Sequence, residues 1–225
     1  MLPASQRVTL VTLYGSDYSE TRRTGQRPGK KCYNRRGSVT RMPKENPQKE
    51  VSRGRIVAAL LDLMGDGTAY RDVSVTLLAG RAGLSRRTFY RHFASVDAVL
   101  DARLRDLGAS FAARATTALG AERRLGDLAF AYFSFWEQHE PLLVLLRDNE
   151  LLHLTGSRFG EGTRDALFAG GEAAGDSSLA YLYRFMAGGM SSMLDQWVRD
   201  GFERTPRELA ALADRLAEHL SVAPV

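Results

Sequence analysis

A helical spacing of apolar positions sets in at Ser52 and continues to the end of the chain. Ile56, Leu60, Leu63 and Met64 recur at the three- and four-residue intervals that place side chains on one helix face. The stripe stops at Gly65 and Gly67, and the helix is predicted to stop with it. A second helix fits Val75 to Arg81 with Ser74 as its N-cap, because a serine oxygen accepts one of the first-turn amides that have no intrahelical partner. Ala82, Gly83, Leu84 and Ser85 make a short connection, with Gly83 suited to the left-handed backbone that closes a helix. Ser85 then caps a short third helix, Arg86 to Phe93.

Longer helices follow. One stripe runs through Val96, Val99, Leu100, Leu104, Leu107 and Phe111, and another through Leu125, Leu128, Ala129, Tyr132, Phe133 and Trp136. Pro141 stands where a helix begins, ahead of the apolar Leu142 to Leu146. Leu179, Leu182, Tyr183, Met186, Met190, Met193, Leu194 and Trp197 keep helical period up to Gly201. Thr205, Pro206 and Glu208 spell a capping box with proline at the first helical position, and Leu209, Leu212, Ala213, Leu216 and Leu220 form the stripe behind it. No repeat and no strand network emerge, so the fold class is all-α.

The front of the chain differs. Arg7 to Tyr14 alternates like a short strand, which is marginal without a partner strand. Residues 15 to 50 are rich in Gly, Arg, Lys, Ser, Thr, Asn and Pro without either period, the composition of a disordered basic tail. An arm that attracts phosphate and an inert extension ahead of a second start at Met42 are both consistent with it. The whole chain of 225 residues carries a formal charge of +5, but residues 1–52 hold eleven Lys/Arg against four Asp/Glu, residues 53–105 nine against five, and residues 106–225 eleven against seventeen. A basic front joined to an acidic back implies that one end meets a polyanion. With 44% hydrophobic and 25% charged residues the chain is a globular protein rather than a disordered one. One cysteine, Cys32, and four scattered histidines give neither a disulfide framework nor a zinc spacing. Gln6 and Arg7 interrupt the first apolar stretch, and no run approaches the ~18 apolar residues of a membrane span, so a cytoplasmic location is expected.

Two short helices joined by a turn of about four residues with glycine inside form a helix-turn-helix, whose second helix enters a DNA major groove. Charge sharpens this reading: Val73 to Val96 contains no Asp or Glu but holds Arg81, Arg86, Arg87 and Arg91. Winding the third helix at about 100° per residue puts Phe89 and Phe93 on one face and Arg87 and Arg91 on the other, with Thr88 at its edge. Arg87 and Arg91 repel at i, i+4 by roughly 0.2–0.5 kcal/mol, a sign that a facing polyanion reverses. Arg87, Arg91 and Thr88 are the candidate base readers, since arginine pairs bidentately with guanine and threonine touches the thymine methyl. Tyr90, His92, Arg86 and the amides behind Ser85 are candidate phosphate contacts.

Arg55 to Leu100 resembles the DNA-binding domain of the TetR/AcrR transcriptional regulators, most sharply in Leu78-Ala79, Ala82-Gly83-Leu84-Ser85 and Thr88-Phe89-Tyr90-Arg91-His92-Phe93. The resemblance implies a three-helix head followed by a larger helical domain that binds an inducer and dimerises through its last two long helices. It places DNA contacts at Ser74, Thr76, Arg86, Arg87, Thr88, Tyr90, Arg91 and His92. Two positions depart from the family pattern: Val96 stands where lysine, a phosphate contact, is usual, and Arg87 where a small residue is common. The segment Ala187-Gly188-Gly189 through Trp197, Gly201 and Thr205 to Leu209 is similar to the C-terminal domain of some members.

These readings divide the chain into a basic extension (1–50), a helix-turn-helix domain (51–97) and a helical effector-binding and dimerisation domain (98–225). The expected function is a DNA-binding regulator, a repressor in the family's commoner mode, that binds a palindromic operator as a homodimer and is released by a small effector. An activator of the same fold acting through a protein partner is the alternative. For the effector, apolar or aromatic, the candidate residues are Phe130, Phe133, Trp136, Tyr181, Phe185, Met186 and Met190, helical stripes that also suit plain core. No nucleophile with a neighbouring base and no phosphate-cradling glycine loop argues for an enzyme, Gly170-Gly171 included, and no cofactor or metal is expected.

Overall fold

The computed structural model describes residues 47–118, 124–167 and 177–221. The expected strand at Arg7 to Tyr14, Cys32, Met42, nearly all of the basic tail and Gly170-Gly171 lie outside the described residues. Every regular element among the described residues is helical, and none of those helices is long and apolar enough to cross a membrane. The chain divides into two compact units, residues 1–99 and 100–225.

In the first unit, α1 (Pro47–Gly65) is followed by one 3-10 turn, Tyr70–Asp72, then α2 (Val75–Arg81) and α3 (Arg86–Tyr90). The predicted stripe is its core: Ile56, Leu60, Leu63 and Met64 are buried, with Leu78, Ala79, Phe89 and Phe93 from the two shorter helices. Ser74 Oγ accepts the Leu77 amide at 3.1 Å, and Ser85 Oγ accepts the Thr88 amide at 3.1 Å, so both predicted caps form. Regular helix ends at Tyr90 rather than Phe93, because the His92 amide turns to the Phe89 carbonyl (2.8 Å) and tightens the last turn. The Phe93 amide still reaches the same carbonyl (3.0 Å), so the predicted side-chain register survives the earlier ending.

In the chain, α4 (Val96–Ala118) carries residues of both units; α5 (Leu125–Glu137), α6 (Glu140–Asp148), α7 (Gly160–Leu167), α8 (Ser177–Arg199) and α9 (Pro206–Ser221) belong to the second. A single π turn, Thr155–Phe159, leads into α7. An aromatic cluster fills the centre of this unit: Phe111, Tyr132, Phe135, Trp136 and Phe159 meet at ring separations of 4.8–6.4 Å. The capping box forms as predicted, with the Thr205 amide donating to Glu208 Oε2 (2.7 Å) and the Glu208 amide to Thr205 Oγ1 (3.3 Å). The Thr205 amide and then the Thr205 hydroxyl, which also donates to Glu208 Oε2 (2.9 Å), hold the Glu208 carboxyl below its usual range. Helix α5 has no capping side chain of its own; the Gly126 amide is taken by Asp214 of α9 at 2.7 Å.

Helices α4 and α7 cross on bare backbone. A methyl at Gly108 would collide with the Phe159 carbonyl oxygen and lie 2.8 Å from the Thr163 nitrogen; one at Gly162 would lie 2.7 Å from Arg105 Cα. Buried Thr163 bonds the Gly108 carbonyl (3.2 Å), and ion pairs Arg105–Glu161 and Arg158–Asp101 flank the crossing. Gly108→Ala is therefore expected to destabilise the protein by about 1–3 kcal/mol, the usual cost of overpacking. Gly80→Ala in α2 adds its methyl to open space and is expected to gain roughly 0.5–1 kcal/mol of helix stability. Urea midpoints of the two variants, moving in opposite directions, test the assignment.

Candidate nucleic-acid interface

A glycine sets the angle between α2 and α3. Gly83 has φ +64°, which L side chains rarely adopt. The Leu84 amide bonds the Ala79 carbonyl (2.9 Å) and the Gly83 amide the Gly80 carbonyl (3.0 Å), the paired bonds of a Schellman closure. With only five residues, α3 is far below the ~12 at which an isolated helix is even marginal in water. Its hold is the burial of Phe89, 0% exposed, and Phe93, 4% exposed, whose rings lie 6.2 Å apart. Each such ring contributes roughly 1.5–3 kcal/mol by leaving water. Tyr90 packs edge-on against Phe89 (5.6 Å) yet is itself half exposed.

That anchoring turns the arginines outward. Arg86, Arg87 and Arg91 are exposed, and none has an ion-pair partner among the described residues. Arg81, from the same acid-free stretch, behaves differently: its guanidinium is bound by Asp66 at 2.8 Å, outside that stretch. The other carboxylate nearby in sequence, Asp97, accepts the Tyr70 hydroxyl at 2.6 Å. Ser74, Thr76 and Ser85 are exposed, while Thr88 is half-buried and its hydroxyl lies 3.0 Å from Ser85 Oγ. His92 does not present Nε2 to a flanking phosphate as its helix position implied. The tightened turn leaves that nitrogen shielded from solvent with no hydrogen-bond partner. Burial first, then the charges of Arg91, Lys49 and Arg53, push the imidazole pKa below its usual value of 6.5.

Two side chains from α1 reach this surface without having been singled out by the sequence. The Arg53 guanidinium sits 5.0 Å from the centroid of the Phe93 ring, and Arg55 lies beside the Gly83 turn. A periodicity argument places them on α1 but carries no information about contacts some forty residues away.

The seven candidate effector residues are not brought together. Phe133 and Trp136 are fully buried, Phe133 against Trp197 (5.6 Å) and Trp136 within the aromatic cluster. Met190 is buried and Met186 half-buried on α8. Phe130 is exposed under the Arg207 guanidinium (5.7 Å), and Tyr181 and Phe185 are 76% and 69% exposed. The reason is rotational: Tyr181 and Phe185 lie about 180° and about 140° around α8 from Met190. A cleft of about 660 Å³ does open elsewhere in the second unit, with Arg147, Glu150, His153, Ser192, Asp195 and Arg199 in its lining. Its walls mix these charged and hydroxyl-bearing groups with apolar surface, Leu152 included. Among the described residues no group of three His, Cys, Asp or Glu is placed to hold a metal ion.

A capped helix, a glycine turn and a second capped helix with outward arginines make a helix-turn-helix domain, the DNA-reading module of all-α regulators. Residues 56–102 match the family described as bacterial regulatory proteins, tetR family. That segment holds the whole helix-turn-helix, so the family likeness rests on the DNA-binding domain and supports a tetR-type transcriptional regulator. The solved fatty acid degradation regulator FadR from Bacillus halodurans is similar at 16% identity and a TM-score of 0.44, over 77% of this chain and 95% of that one. No curated protein sequence matches.

The His92 geometry carries a pH signature. A folded-state pKa below the unfolded one means that the unfolded chain binds the proton better, so stability present above pH 6.5 is lost as pH falls through the folded value. Protection factors of the α3 amides, taken against the intrinsic exchange rate at each pH, are expected to fall on acidification in the native chain and to respond less in His92→Gln.

Proposed function

We propose that this regulator binds a palindromic operator as a homodimer, that α3 reads bases through Arg87, Arg91 and Thr88, and that a small effector releases it. Ser74, Thr76, Ser85, Arg86 and Tyr90 are the phosphate contacts. The observation that carries the proposal is the exposure of three arginines on an acid-free stretch of chain with no ion-pair partner among the described residues, since unpaired like charges of this kind stabilise nothing in the free protein. In this reading residues 51–97 are the reading head and 98–225 the dimerising and sensing domain. Repression follows the family's commoner mode.

Dimerisation is supported by α8. Tyr181, Phe185, Gly188 and Ser192 form an exposed stripe opposite the buried Met190, Leu194 and Trp197, and α9 adds Leu216, half exposed. Large rings beside small residues on an unburied face suit a close helix pairing across a two-fold axis. Two heads then meet successive half-sites about 34–36 Å apart. The effector acts by preferring one of two states of the dimer that differ in the helix after Ser95, and hence in head spacing.

Selection of bound sequences from random duplex DNA with the full chain is expected to return an inverted repeat; failure to enrich any motif would overturn the reading. Arg91→Ala is expected to cost ~1–3 kcal/mol on the selected site and to relax preference at one base position per half-site. Unchanged affinity would favour action through a protein partner instead. Phe185→Glu, measured by light scattering, is expected to yield a monomer that keeps its helical content.

A further inference from the structure

Gly83 meets two requirements at once. Its φ of +64° is one that glycine adopts freely and asparagine tolerates. The second requirement is room: a side chain there would begin 2.6 Å from Nη2 of Arg55, with Cζ at 3.8 Å. Asparagine satisfies the first and not the second. The turn between α2 and α3 thus carries a cation of α1 against its bare, exposed backbone. Arg55 is itself exposed and has neither a hydrogen-bond nor an ion-pair partner among the described residues. Residues 51–61 around it contain no Asp or Glu, and Asp66, the acid that does pair with an arginine of α2, is held by Arg81 at 2.8 Å. Two residues beyond Gly83 the Ser85 cap starts α3, and exposed Arg86 follows. Three residues of chain span at most about 11 Å, so Arg55 sits beside the start of the recognition helix.

On the DNA-binding reading above, on which this step rests, we infer that Arg55, seated on the bare turn at Gly83, grips a backbone phosphate of the duplex beside the start of α3. A guanidinium offers five N–H donors in a fixed fork that matches phosphate oxygens. Such a contact fixes how the head sits on the duplex and carries no base information. The Leu84 amide bonds the Ala79 carbonyl at 2.9 Å and closes the turn against α2, so the cation keeps its place relative to Arg87, Thr88 and Arg91. A residue of α1 thereby sets the register in which α3 reads.

The test is the salt dependence of binding of the full chain to a mixed-sequence duplex, followed by fluorescence anisotropy, with helical content checked by circular dichroism. Arg55→Gln is expected to reduce the magnitude of the slope of log Kobs against log salt by about 0.9 for each head on the duplex. Between roughly 50 and 200 mM salt the variant then loses about 3.5-fold less affinity per head than the native chain. Arg55→Lys keeps the charge and is expected to keep the native slope. Gly83→Asn leaves every charge in the chain and tolerates the turn's backbone, yet puts a side chain where Nη2 of Arg55 stands. It is expected to lower the slope as Arg55→Gln does, and the two changes together to lower it no further than either alone. Arg114→Gln removes an exposed cation of the second unit and is expected to leave the slope unchanged. A native slope in Arg55→Gln, a native slope in folded Gly83→Asn, or an equal loss in Arg114→Gln would overturn the Arg55 contact while the DNA-binding reading stands. A native chain that bound no duplex at any salt would overturn that reading and the contact with it.

Discussion

Whether a helix of five residues exists at all is decided outside it. Two aromatic side chains four residues apart, Phe89 and Phe93, leave water together and hold α3 to α1 and α2, while Ser85 satisfies an amide at its start. This one attachment fixes the rotation of α3 about its axis. Because the helix period is close to four residues, burying positions 89 and 93 obliges positions 87 and 91 to face out. The exposed arginines are thus a geometric consequence of the buried rings. Truncating either ring, at roughly 3–5 kcal/mol, would remove the orientation of the charges before it removed any charge.

The charges themselves sort into two populations. Arg81, Arg105, Arg158 and Arg199 have carboxylate partners within their own units, at Asp66, Glu161, Asp101 and Asp195. Arg81, Arg105 and Arg158 tie separate segments, Arg199 braces one turn of α8, and Arg105 and Arg158 flank a helix crossing that glycine makes close. Arg86, Arg87 and Arg91 have no such partner among the described residues. Surface ion pairs contribute little to stability, typically ~0–1 kcal/mol, so the contrast matters less for folding than for availability. A paired guanidinium must give up a carboxylate before it takes a phosphate. An unpaired one gives up only water and counterions.

Features that depend on a few adjacent residues were legible in the sequence. Ser74, Ser85, Gly83, Pro141 and the Thr205–Glu208 box each satisfy or end a helix by local hydrogen bonding or backbone freedom, and the structure forms each of them. The helical stripes were legible for the same reason, but Leu216, expected on the buried face of the last helix, is half exposed. What escaped is pairwise and distant. The cap of α5 comes from Asp214, 88 positions away, and Arg53 finds Phe93 across forty. Glycines at 108 and 162 look like ordinary helix weakeners until the crossing places backbone against them. The expected apolar pocket came apart similarly: periodicity shows that Phe133, Trp136, Tyr181 and Phe185 occupy stripes, but not which stripes face one another.

His92 connects these threads. Burial and then its three cationic neighbours lower the proton affinity of the imidazole in the free head. Phosphates drawn to the same cations would screen the repulsion that lowers its proton affinity. Linkage then requires reciprocity: if bound polyanion raises the affinity of His92 for a proton, protonation must raise the affinity of the head for polyanion by the same factor. Yet the proton has no acceptor waiting at Nε2, so the charged form also opposes the packing that seats Phe93 beside it. Acid thus strengthens the electrostatic attraction while loosening the anchor that aims α3. Protonation of His92 therefore has two opposing effects on the head, one through net charge and one through packing.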